Sequence, residues 1–179
     1  MSVNVMVGKC RYSATIYGAV IAAVGYPKSI LEFGCGIGAN IDRFRECSKK
    51  VGIDPFKSNI AVAKELFPWN DYILGDCTAL ADYKKNEFDV VVTCSVLDHI
   101  KDYRPVMDEL MRVGKHCIFF EPMVDGQERQ AFAGETFLWK TTWYHNYHEY
   151  LKSKMKRHII KKCPLYDLNS GKRFKMVII

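Results

Sequence analysis

Ser29-Ile30-Leu31-Glu32-Phe33-Gly34-Cys35-Gly36-Ile37-Gly38 is an apolar run that carries an acid near its end and breaks into three alternating glycines. A helical pattern follows over residues 40–46. The order is strand, tight glycine turn, helix start. Glycines let a ligand approach bare backbone, and a helix start offers unpaired N–H groups. The expected ligand is a nucleotide-like cofactor held at the end of a strand.

Working outward, strand and helix alternate. Residues 12–24 are apolar at helical spacing and stop at Gly25-Tyr26-Pro27. Residues 50–54 read as a second strand, ended by Pro55, and Ser58 is placed to cap a helix that stops before Pro68. Residues 72–74 form a short third strand with Gly75-Asp76 behind it. Residues 88–94 are a continuous β-branched run, the pattern of a central parallel strand. A helix over 103–113 and a strand over 117–120 follow. This alternation predicts an α/β fold with a parallel sheet. Past Pro122 the pattern changes. Residues 124–134 read as a polar loop and 141–152 as an aromatic-rich helix. Strands over 156–162 and 172–179, with Asn169-Ser170-Gly171 as a turn between them, predict a closing antiparallel hairpin.

Composition narrows the class. The chain has 179 residues, 49% hydrophobic and 26% charged, which suits one soluble domain. No apolar run is long enough to span a bilayer. The first residues lack the pattern of a signal peptide, so the expected location is cytoplasmic. Seven cysteines are scattered without a C-x-x-C pair, which argues against a zinc cluster or a disulfide framework. Cys35, Cys77, Cys94 and Cys117 lie in or beside apolar runs and read as small buried hydrophobes. Of the net charge of +6, ten Lys and Arg crowd the stretch from Lys140 to Lys175, opposed only by Glu149 and Asp167. That stretch faces an acidic or phosphate-bearing partner, or is a solvated strand face whose lysines guard a sheet edge.

Gly34-Cys35-Gly36-Ile37-Gly38-Ala39 formally matches the dinucleotide fingerprint, with Asp54 about twenty residues on. Three features point elsewhere: Glu32 directly ahead of the glycines, a second Gly75-Asp76 after the third strand, and too short a chain for an added substrate domain. Glu32, Gly34, Gly36 and Gly38, then Asp54 ending the second strand, Asp76 after the third, and Leu97-Asp98-His99-Ile100 after the fourth resemble in order the motifs of the class I S-adenosylmethionine-dependent methyltransferases. The resemblance covers nearly the whole chain, from about Tyr12 to Ile179. It implies a three-layer Rossmann-like methyltransferase fold with a mostly parallel seven-stranded sheet and a C-terminal antiparallel hairpin. It also implies a single domain over 1–179: a helical segment 1–28, a cofactor-binding core 29–122, a substrate-side insertion 123–155 and the closing hairpin 156–179.

The resemblance further implies S-adenosyl-L-methionine as cofactor, with S-adenosyl-L-homocysteine (SAH) as product. Asp54, beside Pro55, would accept from both ribose hydroxyls, although helix capping suits it too. Asp76 would accept from the adenine amino group, and Cys77 would offer its backbone N–H to the ring. Glu32 would hold the ammonium group through water and order the loop of Gly34, Cys35, Gly36 and Gly38. Residues around Cys94, Ser95 and Val96 would meet the methionine end. The sulfonium methyl is already activated, so transfer needs alignment, and a general base only if the acceptor loses a proton. His99 and His145 are the expected bases, with His148 behind them; packing roles suit all three equally. No metal is expected. Thr93-Cys94-Ser95-Val96-Leu97 is not the Asn/Asp-Pro-Pro-aromatic motif of many amino-group methylases. A small-molecule, sugar or lipid-linked acceptor is therefore favoured, with oxygen ahead of nitrogen. RNA held by the basic segment, a catalytically silent cofactor-binding subunit, and a dinucleotide oxidoreductase are the alternatives. The oligomeric state is open.

Overall fold

The structure, a computed structural model, describes residues 12–122, 127–132, 141–154, 165–166 and 173–178. Five strands, β1 (Ser29–Phe33), β2 (Lys49–Asp54), β3 (Asp71–Leu74), β4 (Phe88–Cys94) and β5 (Gly114–Pro122), pair in parallel. The later strands are β6 (Arg129–Phe132), β7 (Thr141–Tyr144), β8 (Leu165–Tyr166) and β9 (Arg173–Ile178). The sheet runs β3-β2-β1-β4-β5-β9-β8, with β9 antiparallel to β5 and to β8. Strand order therefore reverses between β1 and β4. In open α/β sheets, the crevice beyond the C-terminal ends of two such strands is where ligands bind.

β4 is central because both of its faces are apolar. Val90, Val92 and Cys94 pack with Ile16 and Val20 of α1 (Ser13–Val24). Val91 faces the other way, onto Met107, Leu110 and Val113 of α3 (Arg104–Val113). The stripe Val106, Met107, Leu110 and Val113 recurs at helical spacing and is buried. Each such side chain contributes about 1.5–3 kcal/mol relative to exposure. α2 (Lys57–Leu66) sets Ile60 and Ala63 against Cys35, Ile41 and Tyr72. α4 (Tyr147–Lys154) brings Tyr147 and Leu151 to the α3 side.

Several local expectations give way. Residues 40–46 form only a 3-10 turn, Ile41–Arg43. Ser58 lies inside α2, whose N-cap, Phe56, has no side-chain cap; Asp54 steadies the entry to the helix by accepting the Phe56 N–H (3.0 Å) and the Asn59 side-chain amide (2.9 Å). The expected polar loop holds β6, and the expected aromatic helix begins as β7, which pairs antiparallel with β6. Thr141 and Thr142 are β-branched, and a facing strand lets such residues win over helical spacing. β8 stands at Leu165–Tyr166, while the expected strand over 156–162 lies outside the described residues, as do 123–126 and 133–140. No helix among the described residues is long and apolar enough to cross a membrane.

Candidate functional site

Acids stand near the C-terminal ends of β1, β2 and β5, and backbone or side-chain amides hold each of them. Glu32 is fully buried and accepts from the Asn40 side-chain amide at 2.6 Å. Asn40 is itself buried, so Glu32 anchors the far side of the glycine loop from beneath. Asp54 is 2% exposed, and its second oxygen accepts the Gly36 N–H at 2.8 Å. The Gly34 and Cys35 N–H groups both donate to the Ile53 carbonyl. The loop is thereby sewn to the end of β2 by three backbone amides.

Gly34, Gly36 and Gly38 adopt φ of 72°, 56° and 79°, a region that glycine enters without steric cost. Space imposes a second demand. A Cβ on Gly34 would overlap the Val96 side chain, and one on Gly38 would overlap the Tyr72 hydroxyl. The glycine loop after β1 and the turn after β4 are therefore in direct contact. Cys35 is buried over Gly52 of β2, where a Cβ would meet its sulfur at 2.7 Å.

The other expected cofactor residues lie at the neighbouring strand ends. Pro55 is exposed just past β2. Asp76 is exposed after β3, and its carboxylate accepts the Thr78 N–H and hydroxyl, which pull its pKa below the ordinary value. The Gly75 N–H donates to the Asp54 carbonyl, linking the ends of β2 and β3. Cys77 is half-buried, and desolvation pushes its thiol pKa up.

Beyond β4, Ser95 stands at φ 51° and its N–H donates to the Phe120 carbonyl of β5. A 3-10 turn, Leu97–His99, follows. Asp98 is fully buried and accepts from the Ser95 hydroxyl (3.3 Å). The His99 side chain is 20% exposed, with Nε2 3.7 Å from Asp98. Glu121, which sequence reasoning passed over, ends β5 fully buried and accepts the Val96 and Leu97 N–H groups. Its only sequence signal is an acid closing an apolar strand, the pattern also shown by Glu32 and Asp54. Asn40 and Asn59 carried no signal, because their partners lie in other elements.

His145 ends up away from solvent. Its ring is 2% exposed, Nε2 is 2.9 Å from the Ile100 carbonyl, and burial pushes its pKa below the ordinary histidine value. Tyr103 packs on it at 4.3 Å between ring centroids and Trp143 stacks nearly parallel at 6.3 Å. Glu128 gathers Tyr103, Arg104 and the Asn146 N–H around the same place. β7 and the start of α4 are thus docked on the turn that carries His99. Among the described residues, no group of His, Cys, Asp and Glu has the arrangement of a metal site.

Residues 31–117 match the family model described as a methyltransferase domain. No curated protein matches the chain by sequence. Solved structures share its fold at low identity. A protein from Pyrococcus horikoshii OT3 is 17% identical, with a TM-score of 0.73 over 94% of this chain and 88% of that one. The N-terminal domain of EvdMO1, solved in the presence of SAH and D-fucose, is 13% identical, with a TM-score of 0.72 over 93% of this chain and 81% of that one. An S-adenosylmethionine-dependent methyltransferase from Mesorhizobium loti is 15% identical, with a TM-score of 0.66 over 92% of this chain and 95% of that one.

Proposed function

We propose that the chain is a class I S-adenosylmethionine-dependent methyltransferase that methylates a hydroxyl of a small-molecule, sugar or lipid-linked acceptor, a reading supported by the methyltransferase-domain match over residues 31–117 and by the shared fold. The observation that carries the reading is the meeting of the Gly34 loop with the Val96 turn at the β1/β4 switch point, with Asp54 and Asp76 at the adjoining strand ends.

The residues present fit an adenosyl amino-acid cofactor. Gly34, Gly36 and Gly38 give the loop its positive-φ turn, with Val96 and Tyr72 packed beside the first and third. A carboxylate has about four acceptor positions, and Asp54 uses three on the Gly36, Phe56 and Asn59 donors. Ribose hydroxyls would take the fourth and compete with the Gly36 N–H. Asp76 and the Cys77 N–H suit the adenine edge, and Glu32, through the Asn40 anchor, keeps the loop in shape. When bound, the cofactor supplies an activated sulfonium methyl.

The chain's task is to orient the acceptor oxygen and take its proton. We assign the proton to His99, whose side chain is 20% exposed on the turn that follows β4, with Nε2 3.7 Å from Asp98. His145 is assigned to positioning, because its Nε2 is engaged by the Ile100 carbonyl and its ring is buried. The half-buried Trp143 ring, with the Lys101 ammonium 5.7 Å above it, suits the face of a sugar. The D-fucose in the EvdMO1 structure supports that class of acceptor.

The test is thermal unfolding with S-adenosylmethionine, SAH and NAD in parallel. A ligand at a hundred times its Kd adds about 2.7 kcal/mol of stability. The expected result is a rise with both adenosyl amino-acid ligands that Asp54→Ala abolishes, followed by methyl transfer to sugar hydroxyls in an acceptor screen. A rise with NAD alone would overturn the assignment.

A further inference from the structure

We propose that Glu121 is a positioning residue for the cofactor site, clamping the turn after β4 against the glycine loop. The inference rests on reading the β1/β4 crevice as the S-adenosylmethionine site. Glu121 Oε2 accepts the Val96 N–H at 2.9 Å and the Leu97 N–H at 3.1 Å. Immediately before them, the Ser95 N–H donates to the Phe120 carbonyl at 3.0 Å. Three successive amides of the turn are thus held by two successive residues at the end of β5.

The turn needs such a hold. Ser95 adopts a left-handed backbone, which side-chain-bearing residues enter at a cost and keep only when their surroundings insist. An apolar residue in place of Glu121 would leave the Val96 and Leu97 amides without that partner at the edge of the core. The geometry then passes directly to the cofactor loop, because the Val96 side chain occupies the space beside Gly34 that a Cβ would fill. The Glu121 carboxyl group, turn amide, Val96 side chain and Gly34 backbone form one mechanical series. Thr93 and Asp98 also interact with Glu121, Tyr147 of α4 faces the pair, and Lys175 stands opposite it in the β5/β9 register. Glu121 touches neither the acceptor nor the methyl in this arrangement. It acts through Val96.

The experiment combines calorimetric titration of the whole chain with SAH and amide hydrogen exchange at Val96 and Leu97. Glu121→Ala should weaken SAH binding by about tenfold or more. Glu121→Gln keeps an acceptor oxygen and should stay within about threefold of wild type. Slow exchange of both amides in the wild type is expected, retained in Glu121→Gln. An affinity in Glu121→Ala equal to wild type would overturn the proposal. Equal loss in the glutamine and alanine variants would overturn it too. Should the alanine variant fail to fold, fast exchange of the two wild-type amides would overturn it. Wild-type protein that binds no SAH, yet protects these amides, would instead count against the cofactor reading.

Discussion

Asp54 holds three donors with two oxygens, and each donor belongs to a different piece of the site: the glycine loop, the chain entering α2, and α2 itself. Asp54→Ala strands them, at about 1–3 kcal/mol for each donor left buried and unpaired. Urea unfolding should show that loss together with the missing SAH shift. Asp54→Asn keeps an acceptor and should lose less stability. Glu121 yields a pH prediction. Burial, and after it the Asp98 carboxylate, push its pKa up from 4.5 to about 8. A folded-state pKa above the unfolded one favours the protonated form on folding. The stability it contributes is fully present below about 4.5 and is lost as pH rises through about 8. The urea midpoint of the wild type should fall over that window more steeply than that of Glu121→Gln. Both acids end apolar strands, and that much was legible in the sequence. Which amides they accept was not, because Val96 lies 25 positions upstream of Glu121 and only sheet closure brings them together.

At the scale of elements, the parallel strands and α3 follow from apolar periodicity, and the departures follow from tertiary demands. The expected helix over 40–46 is reduced to Ile41–Arg43 because its polar residues are drawn in several directions. Asn40 bonds Glu32, Arg43 bonds Ser13 and Asp42 accepts from Trp69. Gly52 shows the same kind of constraint. A Cβ there would meet Cys35 Sγ at 2.7 Å and the Tyr72 ring at 2.9 Å. Gly52→Ala should cost about 1–3 kcal/mol, seen as a lower urea midpoint, since the glycine loop and β3 must both shift. His145→Ala tests the docking of β7 on the His99 turn. It removes a buried ring and its bond to Ile100, so a stability loss of about 2 kcal/mol or more is expected, with SAH affinity near wild type. A loss of SAH binding with unchanged stability would place His145 in the cofactor site instead.

Across the whole molecule, the net charge of +6 collects in a segment of which the described part includes exposed Lys152 and Lys154 of α4. A protein that holds several phosphates loses affinity steeply between about 50 and 200 mM salt. With a small acceptor, filter binding of single-stranded RNA should show no retention at the lower salt. Retention with a steep salt slope would move the acceptor class to nucleic acid. By itself the sequence determined the α/β class, the order of the strands and the acids and glycines that stand at their ends. These depend on local periodicity and on residue types that chemistry requires at strand ends. Only the tertiary structure decided that Val96 seats on Gly34, that Glu121 holds the turn, and that His145 is buried while His99 is partly exposed. Those facts depend on β1, β4 and β5 lying side by side, a long-range juxtaposition that no local pattern encodes.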